Sequence, residues 1–572
     1  MAINVSLTLL KLFLSLARTK EATKPAILLD EPQKSKVLSK NPSTKLERCT
    51  PEEVGIKKEY IDSFIHEVES DSSVFMNRFM MAKDNKVIYE YAKHPYDLNT
   101  WNASFSLTKT TVGLAIGMLI EDGLLSLNDN AFKILLPKNA ASSNYNKSIT
   151  IRNLLMMSTG CKFNEAYTAA SKKWVKDFFN TSNKFKPGTS FDYNSLNTYI
   201  LSAIVKKVSK KSLSHFLKER LFDPLGIKDF YYSLSPEKIE QGGWGLYITP
   251  EDMVKLGLLF INKGVWEGKR IINEEWLNEM SHVQIKAQGS SFNGYNYGYQ
   301  MWANDAHDIA VFNGMFDQDI VICRKTGVVL IWCCSNCDAF HTSNIFRYAE
   351  HYFAEEIKEH FRYVPAPEYK DLENDTSLYP LYTKRLRGNT FYPTTKNAVS
   401  TSILPLLLQT TMNTFAEGLN SINFEDKDGE YTCKFHEGKD KEFTIKYNFG
   451  EGIRQTINLY GNEYEVSVDA KMRRTDDDTP YLLIRIFFLE FSTRRYIKVL
   501  LTRKKSECFL KLSEYPSTEV VYKVLEIQDK QMKRVVKNAT ALISEDVLTM
   551  KINNLLNPKL LFTTKKPEEK QK

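Results

Sequence analysis

Four residues, Ser106-Leu107-Thr108-Lys109, have the types and spacing for covalent chemistry. A serine hydroxyl is a weak nucleophile until a base removes its proton. A lysine can be that base once burial disfavours its charged form and lowers its pKa. Residues three apart on a helix share a face, so Ser106 Oγ and Lys109 Nζ can meet. The same S-x-x-K spacing recurs at Ser235-Pro236-Glu237-Lys238. There serine reads as an N-cap and proline as the first residue of a short exposed helix, with no apolar helix behind it.

The elements around the first tetrad separate the two. Val112, Ala115, Ile116 and Leu119 fall at i, i+3, i+4 and i+7, which predicts a buried helix starting at the tetrad. Gly123 stands where a helix stop belongs. Upstream, Phe79–Ala82 and Val87–Tyr91 flank a Lys83–Lys86 turn and read as a hairpin. Downstream, a Pro187-Gly188 turn is followed by Phe191-Asp192-Tyr193-Asn194-Ser195 and a helix with Leu196, Ile200, Ala203 and Ile204 on one face. Thr249-Pro250-Glu251-Asp252 opens a helix through Ile261. The run Gln241-Gly242-Gly243-Trp244-Gly245 before it reads as scaffold.

In this order the segments resemble the serine β-lactamase and penicillin-recognising family, especially its class C and D-alanyl-D-alanine carboxypeptidase-like serine hydrolases. Ser106 to Lys109 matches the first motif, and ITIRNLLMMSTG (Ile149–Gly160) resembles a helix-and-turn segment of the family. Tyr193 falls on the tyrosine of the family's Y-x-N triplet, whose third position here is Ser195. The resemblance implies that Ser106 attacks a carbonyl, that Lys109 and Tyr193 pass the proton, and that water releases the acyl group. Serine at 195 cannot offer both an amide donor and an acceptor to a substrate amide. That favours an esterase, amidase or peptidase-like hydrolase over a true β-lactamase.

The family's third motif has two candidates. Lys325-Thr326-Gly327 matches its K-T-G text, but only one strand, Val328–Cys333, follows before the helical stretch 342–360. Placing the motif at Phe312-Asn313-Gly314 supplies the missing strand, Gln318–Cys323, and turns Lys325–Gly327 into a hairpin turn. A related G-x-x-G-Q pattern lands on Gly314-Met315-Phe316-Asp317-Gln318. Phe312 then replaces a cationic anchor and bulky Phe316 precedes Asp317. An oxyanion hole needs only backbone N–H groups, expected from Ser106 and Met315. His307 and Asp308 sit at a strand entrance and read as surface or turn residues.

The 572 residues suggest two or more domains, with 42% hydrophobic and 26% charged content typical of a globular protein. A net charge of +8, partly gathered in ends such as KKPEEKQK, does not suggest nucleic-acid binding. Eight scattered cysteines are not a disulfide framework, and Cys334-Ser335-Asn336-Cys337 reads as a strand end. This cysteine usage leans towards a cytoplasmic location. The alternative is a signal, organelle-targeting or interfacial segment within residues 1–20, where Ile3–Ala17 is apolar but interrupted by Lys11. Beyond residue 365, Phe443, Ile445 and Tyr447, and then Tyr464, Val466 and Val468, alternate with polar residues. That pattern predicts an antiparallel β domain, which resembles the lipocalin-like barrels appended to some serine hydrolases.

The expected fold class is α/β (α+β). Residues 1–46 form a segment and linker, 47–362 an antiparallel sheet flanked by helices, and 363–572 a β-rich domain. The expected activity is a serine hydrolase acting through an acyl-enzyme on a small-molecule or peptide-like substrate, with no cofactor, metal, nucleic acid or membrane span. The alternatives are a catalytically silent binding protein, its cleft blocked by Phe312 or Phe316-Asp317, and a peptidoglycan D,D-peptidase or β-lactamase, which requires export.

Overall fold

The computed structural model describes residues 42–168, 171–287, 294–336, 343–368, 372–394, 401–411, 416–427, 430–438, 440–516 and 557–566. Residues 1–20, Cys337 and the lysine-rich end beyond 566 lie outside them. The chain divides into two compact units that meet in sequence between residues 368 and 369.

The first unit is built on an eight-stranded sheet. In chain order its elements are β1 (Glu47–Arg48), α1 (Lys58–Ser70), β2 (Met76–Lys83), β3 (Lys86–Ala92), β4 (Asn102–Ala103), α2 (Thr108–Glu121), α3 (Ile151–Leu155), α4 (Glu165–Thr168), α5 (Ser195–Ser209), β5 (Phe230–Tyr232), β6 (Leu246–Ile248), α6 (Pro250–Ile261), β7 (Asn296–Tyr297), β8 (Trp302–Asn304), β9 (Ile309–Gly314), β10 (Gln318–Cys323), β11 (Val328–Cys334) and α7 (Ile345–Ala349). The large sheet runs β1-β3-β2-β11-β10-β9-β8-β7, while β4, β6 and β5 form a small second sheet. Only the β1–β3 pair of the large sheet is parallel.

Both faces of the large sheet are covered, so its central strands are buried and largely apolar, with Asn77, Arg78, Gln318 and Asp319 the buried polar exceptions on β2 and β10. Alternation decides the direction of each side chain. Met80, Ala82, Ile320 and Ile322 join the core with α2, α5 and α6, while Phe79, Met81, Val321 and Trp332 join the core under α1 and α7. The β2–β3 hairpin turns through Asp84 and Asn85 at φ 50° and 62°, as a two-residue turn with matching twist requires.

Two sequence expectations change. Of the stretch 342–360, the described residues 343–360 are helical over Ile345–Ala349 and a following π-helical turn, Glu350–Ala354. Ser235 caps no exposed helix. It lies in a turn, is 1% exposed, and its Oγ shares a 2.9 Å hydrogen bond with the Tyr199 hydroxyl.

The second unit holds a ten-stranded antiparallel sheet that nearly closes into a barrel. In chain order its strands are Thr390–Pro393, Leu419–Lys427, Glu430–Glu437, Lys441–Tyr447, Ile453–Leu459, Asn462–Arg474, Pro480–Phe488, Thr493–Leu501, Glu507–Tyr515 and Lys559–Thr563. The two edge strands, Lys441–Tyr447 and Ile453–Leu459, are tied by Gln455. Its Oε1 accepts from Lys446 N–H at 3.0 Å and its Nε2 donates to Lys446 O at 2.7 Å. Tyr464, Val466, Val468, Ile484, Ile497 and Val499 are fully buried. Among the described residues no helix is long and apolar enough to cross a membrane.

Candidate active site

Ser106 lies in a 3₁₀ turn, Phe105–Leu107, one step ahead of α2. The turn is pinned to β6. Ser104 donates to Leu246 O through its backbone N–H at 2.9 Å and its hydroxyl at 2.7 Å. Thr108 Oγ1 accepts from Leu246 N–H at 3.1 Å and donates to Phe105 O at 2.6 Å. These bonds hold Phe105 at φ 46°, a left-handed conformation that costs about 1–3 kcal/mol for a residue with a Cβ. Ser106 is thereby fixed at the surface of an otherwise buried turn.

Lys109 is 1% exposed. Its Nζ lies 2.7 Å from Ser106 Oγ and 2.6 Å from Gly243 O. Burial on an apolar helix lowers its pKa to about 7, against the opposing charge of Glu165. As a neutral amine it can donate one N–H to Gly243 O and turn its lone pair to the Ser106 hydroxyl. Gly243 must lack a side chain here, because a Cβ would stand 2.7 Å from Ser195 O and 2.8 Å from Ser195 Cβ. The glycine run read as scaffold therefore supplies a contact to the lysine.

Tyr193 precedes α5 and stacks on Trp302, with ring centroids 5.8 Å apart and planes 12° apart. Lys109 Nζ lies 4.9 Å from its ring centroid. Burial raises its hydroxyl pKa, against a hydrogen bond with Ser106 that lowers it. The side chain is nevertheless 38% exposed, so the ring meets solvent while the oxygen faces inward. A protonated hydroxyl beside Ser106 suits a proton shuttle better than a phenolate.

Ser195, the first residue of α5, is buried against Gly243. Its N–H donates to Glu165 Oε1 at 2.7 Å. Asn194 caps α5 by accepting from Leu196 N–H at 2.9 Å, and donates to Cys161 O at 3.0 Å and Phe163 O at 2.8 Å. It thus fixes the loop that carries Glu165. Neither Glu165 nor Gly243 stood out in the sequence. Their signals were a lone acid just beyond ITIRNLLMMSTG and a Gly-Gly pair with no turn to explain it.

At the expected third motif, a Cβ on Gly314 would lie 2.3 Å from Ser104 O, so the end of β9 abuts the turn that carries Ser106. Phe316 packs edge-on against Phe105 at 5.6 Å, and Met315, between it and Gly314, is half-buried. Phe312 is fully buried against Phe260 of α6, with centroids 5.3 Å apart. Asn313 donates to Asp319 Oδ1 at 2.7 Å, and Trp332 donates to the other oxygen at 2.6 Å. Burial, with Asp317 nearby, pushes the Asp319 carboxyl well above its usual range.

Gln318 accepts from Asn102 at 2.6 Å and donates to Phe316 O at 3.0 Å and Cys334 O at 2.7 Å. Asp317 accepts from Asn336. Of the substrate-contact candidates, Phe312, Asp317 and Gln318 are therefore buried, and Asn313 is engaged by Asp319. Lys325 sits in the β10–β11 turn, 2.5 Å from Glu355, with Gly327 at φ 67°. His307 and Asp308 pair with Glu355 and Arg324 on the surface. Among the described residues no group of three or more His, Cys, Asp or Glu is placed to hold a metal ion.

The sequence model of the Beta-lactamase family matches residues 78–341. Protein flp of Staphylococcus aureus (strain MW2) is 28% identical over 130 residues, 22% of this chain and 26% of that protein. Lovastatin esterase of Penicillium rubens is 26% identical over 212 residues, 32% of this chain and 52% of the esterase. The chain thus spans about a quarter and about half of these curated relatives. A penicillin-binding protein from Bacillus halodurans superimposes with TM-score 0.39 at 18% identity, covering 52% of this chain and 98% of that one.

Proposed function

We propose, for a chain whose residues 78–341 belong to the Beta-lactamase family, that the first unit is a serine hydrolase forming an acyl-enzyme on an ester, amide or peptide-like substrate. The observation that carries this reading is the 2.7 Å contact of Lys109 Nζ with Ser106 Oγ, where burial brings the lysine pKa to about 7. Neutral Lys109 takes the hydroxyl proton as Oγ bonds to the substrate carbonyl carbon. Backbone N–H groups of Ser106 and Met315 hold the resulting oxyanion. Collapse breaks the bond to the leaving alcohol or amine, which receives the proton from Lys109 through the Tyr193 hydroxyl. Water then attacks the acyl ester, gives a proton to Lys109, and Ser106 leaves with its proton restored.

An ester is the first substrate to test, because no cation stands at Phe312 to hold a carboxylate and one relative is named as an esterase. Phe312 and Phe316 point into packed side chains, which weakens the case for a blocked, silent site. Labelling with a fluorophosphonate and with a fluorescent penicillin tests the reading. The first should label wild type but not Ser106→Ala, and the second should label neither. Labelling by both probes would indicate a peptidase-like or β-lactamase-like site; labelling by neither would end the hydrolase reading.

A further inference from the structure

The charges around Ser106 suit a cationic substrate better than an anionic one. The Lys109 amine is engaged by Ser106 and Gly243, and its pKa of about 7 leaves much of it neutral. Phe312 is buried in the core, and Lys325 is tied to Glu355 in a distant turn. Glu165 is half-buried and interacts electrostatically with both Lys109 and Tyr193. One carboxylate oxygen, Oε1, is fixed by Ser195 N–H at 2.7 Å. The other accepts no hydrogen bond from the described residues. Asn194 ties the preceding loop at Cys161 O and Phe163 O, so the carboxylate is placed rather than tethered. Beside it, Tyr193 exposes its ring from a stack on Trp302, an apolar wall along which a short chain can lie.

We propose that Glu165 makes this site selective for acyl substrates that carry a cationic group, an alkylammonium or guanidinium, a few bonds from the reacting carbonyl. This rests on the acyl-enzyme reading above. A charge-assisted contact in a partly exposed cleft is worth about tenfold or more in selectivity.

The test uses p-nitrophenyl esters with matched acyl chains ending in a guanidinium, a methyl or a carboxylate group. Wild type should show kcat/KM falling in that order, with the cationic ester favoured over the neutral one by about tenfold or more. Added salt should compress the ratio. Glu165→Gln keeps the side-chain size and an acceptor for Ser195 N–H, and should bring the cationic-to-neutral ratio close to one. Removing Glu165 also alters Lys109, but that change acts on every ester and cancels in the ratio. A wild-type ratio near one, or a preference that survives Glu165→Gln, overturns the inference and leaves the hydrolase standing. If no ester acylates Ser106, the hydrolase reading falls and the inference falls with it.

Discussion

Lys109 in the first unit and Arg495 in the β-rich unit are each about 1% exposed, yet their neighbours differ in kind. Arg495 donates twice to Ser402 O, at 3.0 and 2.7 Å, and lies 3.4 Å from the Glu514 carboxylate. Glu514 in turn accepts from Leu406 N–H at 2.7 Å and Leu407 N–H at 3.2 Å. Every group has a partner, and the charge serves to seat the segment around Ser402–Leu407 against the barrel strands. Lys109 meets a hydroxyl, a carbonyl and the Tyr193 ring, with Glu165 acting on it electrostatically. Burial lowers the pKa of both cations, but a guanidinium starts so high that Arg495 stays charged, whereas Lys109 is brought to about 7. A buried cation is structural when a carboxylate sits in contact with it, and becomes a usable base when none does.

The largest expected effect comes from removing the uncompensated lysine. Lys109→Ala should cut kcat towards an activated ester by about 10³-fold or more while the protein stays folded; near-wild-type turnover would take the lysine out of the mechanism. The compensated pair should respond in stability instead. Glu514→Gln leaves Arg495 charged and unpaired and should cost about 3–5 kcal/mol in denaturant unfolding, much of it recovered by adding Arg495→Met. A single-mutant cost below about 1 kcal/mol would mean that the pair is not a buried support.

Tyr193→Phe removes one oxygen and keeps the stack on Trp302, so a loss of about 10²-fold in kcat is expected. A loss below about threefold would reduce this tyrosine to packing. A smaller effect lies in the pH profile. Lys109 must be neutral to act, so kcat/KM should rise with pH through a midpoint near 7. Glu165 raises the lysine pKa, so Glu165→Gln should move that midpoint to lower pH; an upward move would contradict the assigned interaction. The smallest effect belongs to Lys325→Ala, which should leave acylation of Ser106 unchanged because the residue meets only Glu355 in an exposed turn.

Much of this was legible in local pattern. The helix behind Ser106, the β2–β3 hairpin and the helix after Tyr193 follow from apolar spacing and turn residues. Counting strands pointed to Phe312-Asn313-Gly314 rather than Lys325-Thr326-Gly327, and Gly314 lies against Ser104. The count did not show which way the residues before Gly314 face. Phe312 enters the core with α6, and Asn313 turns to Asp319 on the opposite face.

The sequence by itself determined the pairing of Ser106 with Lys109 and the order of the elements that carry them, because spacing of three on a helix and period-two alternation on a strand are local properties of the backbone. Only the tertiary structure decided what surrounds them. Gly243 reaches Lys109 from 134 residues away, and Glu165 reaches Ser195 from 30 away. Hydrogen bonds and desolvation depend on distance in space. A carbonyl and a carboxylate from separate loops can set the charge of a lysine while leaving no mark on the residues next to it.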